Sequence, residues 1–262
     1  LGVRVGDTGP TLADLTRALP VTALDLPPLA AEAWAARFDG PALAQVRRVR
    51  VESFGPENLQ PLARSRHLTG LTDLDLYTDN EGVSAAELEL VAAAPFAAGL
   101  RRLTLTLADD EAAAELTGFP GLTRLDLNLG ALHPGHASAE EVAAAETFAA
   151  RTLDRLARSP ALAGLEEFAL SGSWPTTDAA AAIGGWRHLR ELTVWDELPC
   201  DAAAGWAMPA LEDLTLKPSG PLAPLLGWPG LSRLRHLRLL DPPDAPPDLL
   251  ALADRLDWRR SG

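Results

Sequence analysis

The sequence predicts an α/β solenoid, in which short parallel strands stack side by side and the chain returns behind them through helices. Three observations predict it. An apolar–x–x–apolar–x–apolar pattern recurs at nearly constant spacing. The segments between the copies carry apolar residues at helical spacing. The bulk composition also fits an ordinary water-exposed globular chain.

The pattern is clearest as LTDLDL from Leu71, LRRLTL from Leu100, LTRLDL from Leu122, LEEFAL from Leu165, LRELTV from Leu189, LEDLTL from Leu211 and LRHLRL from Leu234. Weaker copies begin at Val21 (VTALDL) and Val46 (VRRVRV), and Val3 with Val5 forms half a copy. Successive starts lie 25, 25, 29, 22, 43, 24, 22 and 23 residues apart. In a strand, alternate side chains point to opposite sides. The fourth and sixth positions of each copy therefore share one side and the third, fifth and seventh the other. A single such strand cannot hide its apolar side, but stacked copies share a core and each leans on its neighbours. The return segments include TLADLTRAL before Val21, AAELELVAAAPF before Leu100 and AEEVAAAETFAARTLDRLA before Leu165. Leu43, Leu68, Leu162 and Leu231 each precede a copy by three residues and extend the buried stripe.

On these copies the chain resembles the leucine-rich-repeat superfamily, particularly its bacterial, alanine-rich members with a helix in each repeat. The resemblance covers roughly residues 20–240. It implies a leucine-rich-repeat solenoid with a curved parallel sheet on the concave side and helices on the convex side. It also implies a protein-interaction or sensor role for the concave face. Many members carry Asn three positions after the last strand leucine. Here those positions hold Asp79, Ala108, Gly130, Ser173, Glu197, Ser219 and Pro242, so the turns must be satisfied in other ways.

The 43-residue gap between Leu122 and Leu165 is read as an inserted loop and a lengthened helix, because no apolar triplet survives within it. The alternative is a repeat that has lost its strand signature. The expected organisation is a single domain over 1–262. Residues 1–20 form a partial repeat or cap and 21–240 about nine repeats, with the insertion near 129–160. Residues 241–262, with DPPDAPPDLLALADRLDWRR, close the last repeat with a cap helix.

Composition narrows the function classes. The chain is 47% hydrophobic and 23% charged, with a formal charge of -13. That charge argues against nucleic acid, whose attraction needs clustered Lys and Arg. No apolar run approaches the ~20 residues that cross a bilayer, so no membrane is expected. Cys200 is the sole cysteine, which excludes an internal disulfide and fits a reducing, cytoplasmic setting. There is no secretory signal pattern. The start at Leu1 and the half-copy at Val3–Val5 favour a second reading, that of a structural or regulatory arm whose activity lies elsewhere in a larger polypeptide.

No catalytic constellation stands out, and no cofactor is expected. His133 and His136 with Glu140 and Glu141 have ligand types that suit zinc. Their spacing is loose, however, and Pro134–Gly135 accounts for a turn, so an ordinary loop is the expectation. Cys200, in LPCDAAAGW, sits at a helix start where thiols can be activated. A packed thiol is the simpler reading. GDTG and GWPG lack phosphate-loop spacing, and no nucleophile-elbow, zinc-protease or Walker pattern occurs.

The outward positions are the candidate contact surface: Arg48 and Arg50, then Asp73, Asp75 and Tyr77, then Arg102, then Arg124 and Asp126, and later Trp195. Glu52, Asn128, Glu167, Glu191, Asp213, Lys217, His236 and Arg238 fall on the same face. One reading is a ladder of cross-strand ion pairs that neutralise one another. The other is a protein-binding patch, since exposed aromatics and Arg are enriched at interface hot spots. Trp186 and Trp228 precede strand starts and are expected in the core.

Overall fold

The computed structural model describes residues 2–4, 21–27, 38, 40–52, 55–77, 82–130, 138–172 and 181–240. The expected N-terminal return helix, the His133–His136 loop, Trp174 and the cap helix over 241–262 lie outside them. The described residues fall into two compact units, 1–123 and 124–262.

The first unit contains strands β1 (Gly2–Arg4), β2 (Ala23–Leu26), β3 (Arg48–Glu52), β4 (Asp73–Tyr77) and β5 (Arg102–Thr106). They pair in chain order and all in parallel, with Val3, Leu24, Val49, Leu74 and Leu103 side by side. Helices α1 (Pro56–Ala63), α2 (Ala85–Ala92) and α3 (Ala112–Glu115) return the chain and pack on one another in that order. The second unit repeats the plan with β6 (Arg124–Asn128), β7 (Glu167–Ser171), β8 (Glu191–Pro199), β9 (Asp213–Ser219) and β10 (His236–Leu239). Here Leu125, Phe168, Leu192, Leu214 and Leu237 form the matching buried row. Its helices are α4 (Ala139–Arg158), α5 (Cys200–Ala204) and α6 (Ala223–Leu226). Each unit has the architecture of an α/β leucine-rich-repeat solenoid.

Hydrogen bonding explains the three-residue offset of the leading leucines. The N–H of Val46, Leu71, Leu165 and Leu234 donates to the carbonyl of Leu43, Leu68, Leu162 and Leu231, at 3.0–3.3 Å. Each of these four strands is thus entered through one tight i→i+3 turn that points two aliphatic side chains into the core. Phe119 and Met208 take the same place before Leu122 and Leu211. The second residue of each copy also stitches repeats together. The Thr72 carbonyl accepts from both Arg101 and Arg102, and the Arg190 carbonyl from Glu212 and Asp213. Arg47 and Arg101 reach forward from this position and donate to the carbonyls of Gly70 and Gly121, at 2.8 and 2.9 Å.

Between β6 and β7 the described residues contain no strand, and the two strands pair directly, Arg124 opposite Glu167. The intervening chain carries α4, which runs for 20 residues. Its entry is a capping box: the Ser138 N–H and hydroxyl donate to Glu141, and the Glu141 N–H donates back to Ser138. Glu140 and Glu141 in the first turn and Arg155 and Arg158 in the last complement the helix dipole. Only the second half of α4 buries a face, through Ala149, Thr152, Leu153 and Leu156. Among the described residues the other return helices are short, a turn or two, and α3 and α6 have four residues each.

Tryptophans thicken the core of the second unit. Trp186 and Trp228 are buried as expected, and Trp206 joins them. Trp186 meets Phe168 edge-on at 4.7 Å between ring centroids, and Trp206 meets Trp228 at 5.9 Å. The Trp228 indole N–H donates to the Trp206 carbonyl, which satisfies its polar edge away from water.

The missing asparagine ladder is replaced by glycine turns. Gly82, Gly130, Gly172 and Gly220 all have positive φ, at 69°, 82°, 111° and 75°. Asn128 accepts from the Gly130 N–H at 2.9 Å, and Asp196 accepts from the Gly172 N–H at 2.6 Å. Glu197 and Ser219, placed at turn positions by repeat counting, instead continue β8 and β9.

Candidate functional site

The strand face turned away from the core carries the charged and aromatic residues singled out above. In strand register Arg48 stands opposite Asp73, which stands opposite Arg102, while Arg50 lies opposite Asp75. The Arg50 Nε lies 3.8 Å from Asp75 and 3.6 Å from Glu52, and its guanidinium carbon sits 5.3 Å from the Tyr77 ring centroid. The alternating signs make the first unit's strand face a ladder of opposed charges, of the kind that contributes roughly 0.2–1 kcal/mol per pair. Tyr77 ends the row and stays 47% exposed.

The second unit is different. Along its first outward row stand Arg124, Glu167, Glu191, Asp213 and His236, in strand register. Arg124 binds Glu167 and lies 3.4 Å from Asp126; His236 binds Asp213. Burial works against the Arg124 charge, but Asp126, Glu167 and Glu191 outweigh it and hold its pKa up. Among the described residues the middle carboxylate, Glu191, has no hydrogen-bond or ion-pair partner. Burial, and then the neighbouring Glu167, push its pKa above the usual glutamate range, against a smaller opposing pull from Arg124.

Strand β8 then departs from the regular pattern. Thr193 pairs with Thr215, but the next pair is Glu197 with Lys217. Four residues of β8 thus span two of β9, a bulge centred on Val194–Asp196. Bulges re-aim side chains and concentrate beside functional surfaces. This one leaves Trp195 51% exposed and turns the Asp196 carboxylate toward the Gly172 N–H. Burial raises the Asp196 pKa, and that hydrogen bond partly offsets the rise. Repeat counting found Trp195 but missed Asp196 and the bulge. The signal was there: WDELP follows LRELTV with no glycine before Pro199.

The remaining candidates have structural roles where they are described. Glu141 is engaged in the capping box of α4. Among the described residues no group of three or more His, Cys, Asp or Glu is placed to hold a metal. Cys200 is 3% exposed, and burial, reinforced by Asp201, pushes its thiol up to about 11. That is the opposite of an activated nucleophile. At pH 8 the native thiol is expected to alkylate at least ~100-fold more slowly than the unfolded chain's, whose pKa is about 8.5. Equal rates in a timed iodoacetamide reaction would show the thiol to be accessible and reactive. Among the described residues, no helix is long and apolar enough to cross a membrane.

No family model and no curated protein matches the sequence. Among solved structures the chain is similar to an internalin (inlF) from Listeria monocytogenes, at 14% identity and a TM-score of 0.42. The match covers 88% of this chain and spans 65% of the internalin chain.

Proposed function

We propose that this chain is a divergent member of the leucine-rich-repeat superfamily that acts as a non-catalytic protein-binding scaffold. It offers the strand face opposite the helices as its contact surface. One observation carries the reading. Three large apolar side chains stand out as exposed among the described residues, Tyr77, Val142 and Trp195, and two of them, one in each unit, are carried by strands, Tyr77 by β4 and Trp195 by β8. Both belong to residue types that dominate interface energetics, on a face whose other outward positions are largely charged and can supply a polar rim. Arg50 lies against Tyr77 in the first unit, and Arg48, Asp73, Asp75 and Arg102 share its face. Arg124 and Asp126 share the second unit's face with Trp195.

The test is partner capture from the source cell with wild type, the Tyr77→Ala/Trp195→Ala double variant, and a Val142→Ala control. Truncating hot-spot aromatics costs at least ~2 kcal/mol, or about 30-fold in affinity. The double variant is expected to lose its partner while folding normally, and Val142→Ala to keep it. Retention by the double variant would place the contact elsewhere.

A further inference from the structure

We infer that the bulged strand of the second unit takes a partner segment carrying an arginine or lysine, which Glu191 receives, beside an apolar residue that covers Trp195. The inference rests on the scaffold reading above and names the chemistry of the partner.

The charge pattern argues for it. Across five adjacent strands the row reads Arg124, Glu167, Glu191, Asp213, His236. The outer two carboxylates each hold a basic group from the next strand, Arg124 on Glu167 and His236 on Asp213. Glu191 sits between two like charges with no cation of its own, and strands stand ~4.8 Å apart. Like charges directly opposite one another destabilise a sheet. A glutamine there would remove the conflict, and so would a basic residue at position 167 or 213. Neither is present. The row is short of one cation, at one defined place.

The second argument is the bulge. The chain on either side of Val194–Asp196 is regular strand, so the two extra residues are a local departure that presents an indole to water. Glu191 and Trp195 lie four residues apart on the same strand, at most ~13 Å at ~3.3 Å per residue. Side chains two to four positions apart on an extended segment span that distance. Two recognition groups spread along one strand suit an extended peptide segment and not a small metabolite. A phosphate-bearing partner is disfavoured by the three carboxylates.

The probe is a displayed library of random twelve-residue peptides, selected on the full chain and re-tested as single synthetic peptides. Enriched peptides are expected to carry Arg or Lys two to four positions from a large apolar residue. Their binding should weaken with added salt. Glu191→Gln should weaken them about tenfold or more, as for loss of a charge-assisted bond. Trp195→Ala should weaken them similarly, and Glu197→Gln, where the carboxylate already faces Lys217, little. Misfolding is checked by the melt. A folded-state pKa raised above the unfolded value means the carboxyl favours the fold only when protonated, and that contribution is lost as pH rises through the folded value. Glu191→Gln is therefore expected to melt no lower than wild type at pH 7. Peptides with no basic bias that depend on Trp195 but ignore Glu191→Gln would overturn this inference and leave the scaffold reading standing. Peptides indifferent to both variants would remove this face from that reading too. Absence of enrichment over an unrelated protein, or self-association of the chain lost on Glu191→Gln, would also overturn it.

Discussion

Leu214→Ala is expected to lower the unfolding free energy by ~2–5 kcal/mol, the range for deleting a buried leucine side chain and leaving a cavity. Leu214 is 1% exposed and lies in the buried row of the second unit, with Leu192 on one strand and Leu237 on the other. The backbone on both sides is held in ladder hydrogen bonds, so neighbouring strands cannot close the void. Because each repeat leans only on those beside it, the loss is concentrated in the last three strands. Urea denaturation followed by far-ultraviolet circular dichroism, with exposed Arg233→Ala as a control expected within about 0.5 kcal/mol of wild type, measures the difference. Coincident curves for Leu214→Ala and Arg233→Ala would mean the leucine triplets are not the shared interior.

That interior was legible from the start, because strand alternation is a strict rule and the leucine triplets obey it in every copy. Val49, Leu74, Leu125 and Leu237 follow from counting alone. The outward face was legible for the same reason, Arg48 opposite Asp73 and Arg50 opposite Asp75 included. What counting could not supply was anything that breaks the count. Asp196 falls on the inward side by alternation and is re-aimed by two extra residues in β8. The pairing of His236 with Asp213, which leaves Glu191 alone, depends on side-chain reach rather than spacing. The turns were hidden because four glycines with positive φ stand at or near the positions where repeat counting looks for asparagine, and their spacing from the strands is uneven.

Gly172→Ala is expected to be strongly destabilising, because conformation and crowding act together there. Its φ of 111° lies beyond the small left-handed region open to L residues. Holding a side chain there costs about 1–3 kcal/mol from the backbone alone. The new methyl would also lie 2.9 Å from the Leu129 nitrogen and 3.1 Å from the Gly130 oxygen. These are backbone atoms already fixed, since the Leu129 N–H donates to the Ser171 carbonyl at 2.8 Å. Relief must come from moving the Gly172 peptide, whose N–H holds Asp196 and with it the bulge that displays Trp195. Gly220→Ala separates the two effects, because φ there is 75° and nothing stands within 4 Å of the added carbon. Gly220→Ala is thus expected to show only the conformational cost, about 1–2 kcal/mol. Gly172→Ala should show a larger loss together with a change in Trp195 solvent quenching, the sign that the turn and the bulge move as one. Equal losses at the two positions, with Trp195 undisturbed, would show that the crowding around Gly172 relaxes freely and that the bulge does not depend on it.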